Sequence, residues 1–167
     1  MENKHISLED ISIRTDLRAG DAGYIIYMHG RIYKEEQNYG RIFEAYVAKT
    51  FFDFLLSYDP AKDRVWIAEH EGRIIGCIAI VNRGEKAQLR WVLLEKEYRG
   101  IGLGKKLLEQ AIAFARDTGY KLLYLETTDD VKRALGMYEK AGFVRVGETP
   151  NDTWREKVLE LEYEMKL

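Results

Sequence analysis

The chain has 167 residues, 46% hydrophobic and 32% charged, with only two prolines, which predicts one domain over 1–167 with a full core. A net charge of −2 from 26 basic and 28 acidic residues leaves no electrostatic footprint for nucleic acid. No apolar run approaches membrane-spanning length, the charged start has no leader-like apolar stretch, and the lone Cys77 suits a reducing cytoplasm.

After an irregular start, Ile11-Ser12-Ile13-Arg14 alternates and predicts a short strand. A helical region then runs from Gly20–Gly23 through Lys34. A second spans about Ile42 to Ser57, with apolar residues at Phe43, Val47, Phe51, Phe54 and Leu55. Gln37-Asn38-Tyr39-Gly40 breaks the two apart. This pair carries an unusual density of polar and aromatic groups in His29, Tyr33, Glu36, Tyr39 and Glu44. Asp59-Pro60 closes the helical part. Arg64–Glu69 and Arg73–Val81 flank Glu71-Gly72 and predict a hairpin. Ala87–Leu94 follows Arg83-Gly84-Glu85 as a third strand, paired with the second.

Strand three ends in Leu94-Glu95-Lys96-Glu97-Tyr98-Arg99-Gly100-Ile101-Gly102-Leu103-Gly104-Lys105. From Leu103 the apolar residues Leu107, Leu108, Ala111, Ile112 and Ala115 mark one stripe of a helix. A strand therefore feeds a glycine-rich turn that opens a helix. The first helical turn offers N–H groups without intrahelical partners and partial positive charge, which suits a phosphate or pyrophosphate. Arg99 and Lys105 add mobile positive charge. The plainer alternative is a tight connection with no ligand. A Walker loop is excluded because Lys105 is followed by Lys106 and no hydroxyl, and the glycine spacing misses a dinucleotide fingerprint.

The helix stops at Thr118-Gly119. Leu122–Leu125 is a strand, Val131–Ala141 a helix stopped at Gly142, and Phe143–Val146 a strand. Val158–Met165 alternates as a last strand with one wet face. The order is β-α-α-β-β-β-α-β-α-β-β. It predicts an α/β (α+β) fold with a mixed sheet and helices on both faces. The wet last strand is expected at a sheet edge. There it either pairs with a second copy as a homodimer or is protected by Glu160, Glu162 and Glu164. His5, His29 and His70 lack metal spacing, so no metal site is expected; His29 reads as a surface or packing histidine that could line a pocket. Cys77 reads as a core thiol, and Trp66, Trp91 and Trp154 as core or sheet-face residues.

Arg99-x-x-Gly102-x-Gly104 resembles the pyrophosphate loop of the GNAT N-acetyltransferase superfamily, and that element order is the one the superfamily uses. Leu89–Leu94 resembles its fourth strand and Leu123–Thr127 its fifth. Met137-Tyr138-Glu139-Lys140-Ala141-Gly142-Phe143 resembles its Y-x-K/S-x-G-F helix end. The stretch from His29-Gly30 through Phe43-Glu44-Ala45, with Asp59-Pro60 and Trp66–Glu69, is similar to the acetyltransferase half of proteins in which this domain follows a MarR-type DNA-binding regulator. The 167 residues hold no such regulator segment.

The resemblance implies a GNAT fold of about seven strands whose fourth and fifth strands splay apart. It implies acetyl-CoA, held by the backbone of Val92, Leu93 and Leu94 and by Arg99, Gly100, Ile101, Gly102, Leu103, Gly104 and Lys105. A main-chain N–H near Leu94 is the implied oxyanion donor and Tyr138 the implied acid for the departing thiolate, against an ordinary packing tyrosine. Where histone-acetylating relatives place a glutamate base, this chain has Gln88. Glu36 is the preferred carboxylate in its stead, with Glu126 second and ordered water a third route. Many relatives carry an asparagine where Val131 stands. The implied activity is direct attack of a primary amine of a small molecule, amino acid or peptide on the thioester. The alternatives are a protein lysine or N-terminal acetyltransferase and a non-catalytic acyl-CoA-binding regulatory module.

Overall fold

Apolar residues recurring every three or four positions turn two early segments into helices. Ile25, Met28 and Ile32 form the stripe of α1 (Asp21–Gln37), and Phe43, Val47, Phe51 and Phe54 that of α2 (Arg41–Leu56). The structure, a computed structural model, describes residues 5–167. Its strands are β1 (Ser12–Arg14), β2 (Arg64–His70), β3 (Arg73–Arg83), β4 (Lys86–Leu94), β5 (Leu122–Thr128), β6 (Val144–Asn151) and β7 (Val158–Lys166). Helices α3 (Leu103–Thr118) and α4 (Lys132–Ala141) complete the order expected from the sequence.

The strands form one seven-stranded sheet in the order β1-β2-β3-β4-β5-β7-β6. Only β4 and β5 run parallel, because a helix joins them; every other neighbouring pair is antiparallel. Alternate residues of the central strands point to opposite faces, so the core divides in two. Ile78, Ile80, Leu89, Leu123 and Leu161 pack beneath α3 and α4, whereas Ile67, Cys77, Ala79, Trp91 and Leu93 pack beneath α1 and α2.

The sheet corrects one expectation. The last strand, β7, is not an edge: it is laddered along its length to β5 on one side and β6 on the other. Its odd residues Leu161, Tyr163 and Met165 are buried on the α3–α4 face, while Glu160, Glu162 and Glu164 occupy the other. Neither edge pairing nor edge protection by those glutamates is therefore possible. The edge strands are β1 at one end of the sheet and, beside β7, β6, which carries Pro150, a residue without a ladder donor. The irregular start lies partly outside the described residues. Among the described residues Leu8–Asp10 form a 3-10 turn, where the Ser7 N–H donates to Asp10 Oδ2 at 2.8 Å.

Two irregularities in β4 open the middle of the sheet. The strand is laddered to β5 only at Lys86–Gln88 against Leu122–Tyr124, after which the two separate. It also bulges against β3: Cys77 pairs with Leu93 but Ala79 with Arg90, and Trp91 takes φ +48°, the left-handed region. Opposite the bulge a Cβ on Gly76 would stand 2.8 Å from the Leu93 carbonyl oxygen, so only glycine fits there.

Candidate active site

The glycine turn leaves β4 and opens α3. Gly100 and Gly102 have φ +80° and +87°, and Gly102 supplies the N-cap without a side-chain hydrogen bond. The first intrahelical bond runs from the Lys106 N–H to the Gly102 carbonyl at 3.0 Å, which leaves the N–H groups of Leu103, Gly104 and Lys105 without intrahelical partners. No acidic residue lies in this first turn to neutralise them. At Gly104 a Cβ would come within 3.2 Å of Met137 Sδ and 3.4 Å of Leu94 Cδ1, so the missing side chain keeps a cradle open between α3, α4 and β4. The cradle belongs to a cavity of about 1360 Å³ that runs through the gap between β4 and β5. Arg99, Lys105, Arg116, Lys132, Arg133 and Lys140 contribute to its walls. Lys132 and Arg133, which open α4, are additions that sequence spacing did not single out.

Arg99 is committed within the protein. Its Nε and Nη2 donate to the Leu94 carbonyl at 3.1 and 2.8 Å, and Nη1 and Nη2 reach Glu36 at 3.0 and 2.9 Å. The guanidinium thus ties the end of β4 to the last turn of α1. Both oxygens of Glu36 face it, on the wall of the large cavity.

A second cavity, of about 120 Å³, opens on the α1–α2 side of the gap. Aromatic side chains wall it: Tyr33 lies 4.5 Å from Phe43 between ring centres, Tyr39 5.1 Å from Phe43, and Trp154 5.5 Å from Phe43 and 4.8 Å from Tyr46. Gln88 and Arg90 of β4, Glu126 of β5 and Glu160 of β7 bring polar groups to the same wall. The two cavities share Tyr33, Val92, Thr127 and Tyr138.

Tyr138 stands at that junction, 4% exposed, with no hydrogen-bond partner for its hydroxyl among the described residues. Burial, with the Tyr33 phenol a lesser cause, raises its pKa far above the ordinary phenol value, so the hydroxyl keeps its proton at neutral pH. Burial likewise pushes Tyr33 up to about 12. Tyr39 anchors the wall: its hydroxyl lies 2.9 Å from Thr128 Oγ1 and 2.9 Å from Asp130 Oδ2, and Arg155 donates to that same carboxylate at 2.9 Å. Three segments distant in sequence are locked there.

His29 is 4% exposed and belongs to the α1 stripe with Ile25, Met28 and Ile32. Its Nδ1 lies 2.8 Å from the Ile25 carbonyl, and its ring stacks on Tyr33 at 6.2 Å with planes 4° apart. Burial lowers its pKa to about 4. Cys77 is a core thiol, pushed up to about 12 by burial, with Sγ 3.1 Å from the Trp91 carbonyl. Val131 caps α4 on the wall of the large cavity.

The sequence profile of the acetyltransferase (GNAT) family matches residues 25–143. The uncharacterized N-acetyltransferase YjgM of Escherichia coli (strain K12) is 35% identical over 93 residues, 53% of this chain and 56% of that protein. Human N-acetyltransferase 8B is 30% identical over 95 residues, 53% of this chain and 42% of the relative. The chain thus spans about half the length of the curated relatives it matches. Among solved structures, an acetyltransferase from Streptococcus agalactiae superposes with a TM-score of 0.78 at 21% identity, covering 95% of this chain and 99% of the other. An acetyl-CoA-bound acetyltransferase from Elizabethkingia anophelis superposes at 0.66 and 17% identity, covering 95% and 99%.

Proposed function

The chain belongs to the acetyltransferase (GNAT) family, and from that premise we propose that it is an acetyl-CoA-dependent N-acetyltransferase of a small primary amine. One observation carries the reading. A long cavity with a phosphate-suited helix N-terminus and a small aromatic-walled cavity meet at Tyr138 and Val92. Transfer between two substrates needs two approaches to one point, and a lone binding site does not.

The residues present fit acetyl-CoA. Three inward N–H groups at the head of α3, the glycine cradle at Gly104 and the cations Lys105, Lys132 and Arg133 suit its diphosphate. The stretch Val92–Leu94, unladdered toward β5, offers main-chain partners to its amide-bearing arm. When bound, acetyl-CoA supplies a thioester, an acyl group activated toward amines.

In this reading a main-chain N–H of the Val92–Leu94 segment is the donor aimed at developing negative oxygen. Tyr138 Oη holds the proton that a leaving thiolate needs. Gly100, Ile101, Gly102 and Leu103 shape the turn, and Arg99 fixes it to β4 and α1. Glu36 is assigned to hold Arg99, in place of the base role expected for it, because both its oxygens are engaged by the guanidinium that ties β4 to α1. The small cavity, well below the 300–1,000 Å³ of a typical drug-sized cleft, supports a small amine or the tip of one side chain over a peptide groove.

The test is calorimetric titration with acetyl-CoA, followed by thiol release against primary amines, amino acids and lysine peptides. Binding with turnover of small amines, reduced roughly a hundredfold or more in Tyr138→Phe, is the expected result. Turnover of peptides alone would transfer the reading to a protein acetyltransferase. Binding without turnover would leave a regulatory acyl-CoA module, and absence of binding would refute the cradle.

A further inference from the structure

Of the ionisable groups around the small cavity, His29 is the one whose chemical state the backbone dictates. A carbonyl oxygen only accepts, so the 2.8 Å contact with Ile25 requires that Nδ1 carry the proton. In a neutral ring that leaves Nε2 as a bare acceptor, and Nε2 has no hydrogen-bond partner among the described residues. The ring cannot swivel freely. It is stacked on Tyr33 and bonded to the Ile25 carbonyl, yet it lines the small cavity. Nε2 is not sealed in the core, where Trp91 Nε1 is the buried side-chain nitrogen without a partner among the described residues; the His29 nitrogen is therefore open, as an acceptor, to whatever donor enters the small cavity.

The other ionisable groups on this wall have different circumstances. Arg90 donates to the Tyr46 hydroxyl at 3.0 Å and lies over the Trp91 ring. Tyr39 is held by Thr128 and Asp130. Glu126 is exposed and Glu160 half-buried, on strands β5 and β7 at the wet side of the sheet. Tyr33 and Tyr138 are protonated phenols. His29 alone combines burial, a fixed tautomer and an unmatched acceptor.

The geometry points to His29 as the residue that receives the acceptor amine: its Nε2 accepts a hydrogen bond from the amine N–H and so turns the nitrogen lone pair toward the junction at Tyr138. This deepens the function proposed above and rests on that reading. Burial favours the uncharged ring, with Arg90 adding to the effect, so the acceptor state persists to about pH 4. His29 therefore orients the amine without itself titrating near neutrality.

Two substitutions separate the ring's two nitrogens. His29→Asn keeps a donor near Nδ1 for the Ile25 carbonyl and removes the Nε2 acceptor, whereas His29→Gln keeps an acceptor near Nε2. The expected result is a loss of roughly a hundredfold in kcat/KM for primary amines in H29N, with H29Q within about tenfold of the parent. Acetyl-CoA affinity is unchanged in both. Independently of activity, nitrogen NMR of the protein without acetyl-CoA should show Nδ1 protonated and Nε2 bare. Adding propylamine, kept neutral at high pH, should shift the Nε2 resonance and leave Nδ1 in place.

A protonated Nε2, an Nε2 resonance unmoved by propylamine, or an H29N enzyme with parental kcat/KM would each overturn the assignment. If acetyl-CoA binding and turnover both fail while propylamine still shifts Nε2, the enzyme reading falls and the amine site stands.

Discussion

At the scale of single residues, the groups that matter lie where apolar residues would be expected. His29 sits on the buried stripe of α1 between Met28 and Ile32, and Tyr138 is the buried residue of α4. The sequence pointed to Tyr138 through the residues around it, Ala141-Gly142-Phe143, because that pattern is local. It read His29 as a surface or packing histidine that could line a pocket, and could go no further because the tautomer depends on a backbone contact that no spacing reports. The pairing of Glu36 was equally hidden: its partner Arg99 lies on a loop 63 positions away. The Tyr39 cluster joins equally distant segments and invites a test. Tyr39→Phe removes the hydroxyl that bridges Thr128 and Asp130 while keeping the ring against Phe43. The expected loss is about 1–3 kcal/mol, because a buried carboxylate then loses one donor of its set. Urea unfolding at fixed pH measures it; a change under about 0.5 kcal/mol would show that Arg155 and the Thr128 hydroxyl satisfy Asp130 without it.

At the scale of elements, periodicity reported which segments are helix and which are strand, and the observed order repeats the expected one. It could not report where a ladder stops. The divergence of β4 from β5 after Gln88 and the bulge at Trp91 depend on non-local pairing, and those two departures create the gap in which both cavities lie. The glycine turn was visible because its residue types are demanded by local dihedrals at Gly100 and Gly102. Gly104 differs, since its helical backbone tolerates any residue and only Met137 and Leu94 restrict it. Gly104→Val should accordingly keep α3 helical while its side chain, pressed against Met137 and Leu94, fills the cradle. We expect acetyl-CoA affinity by calorimetry to fall at least tenfold, with the far-ultraviolet circular dichroism unchanged. Unaltered affinity would mean that the phosphates lie elsewhere along the cavity.

At the scale of the whole molecule, sheet order was the least accessible property, since β7 inserts between β5 and β6 by a choice that alternation cannot encode. Alternation says only that one face is wet, and Glu160, Glu162 and Glu164 satisfy that as well inside the sheet as at its edge. The buried ionisable groups nevertheless make one global property predictable, the response to acid. His29 in the unfolded chain titrates near 6.5 and in the fold near 4, so between those values the unfolded state binds the extra proton. Its contribution is fully present above about pH 6.5 and is lost as pH falls toward 4, amounting to about 3 kcal/mol at 1.36 kcal/mol per pH unit. Asp21 acts lower. Burial works to raise its carboxyl, but hydrogen bonds from Arg14 and from the Arg18 N–H outweigh it and hold the group below the usual range. Its stabilisation is therefore present above the ordinary carboxylate pKa and disappears only as pH falls beneath that value. Urea unfolding between pH 7 and pH 4.5 should show a steep fall for the parent and a visibly shallower one for His29→Asn, in which nothing at this position titrates. Equal slopes would mean that His29 is solvated and freely protonated in the folded protein, and the neutral acceptor at the small cavity would be lost with it.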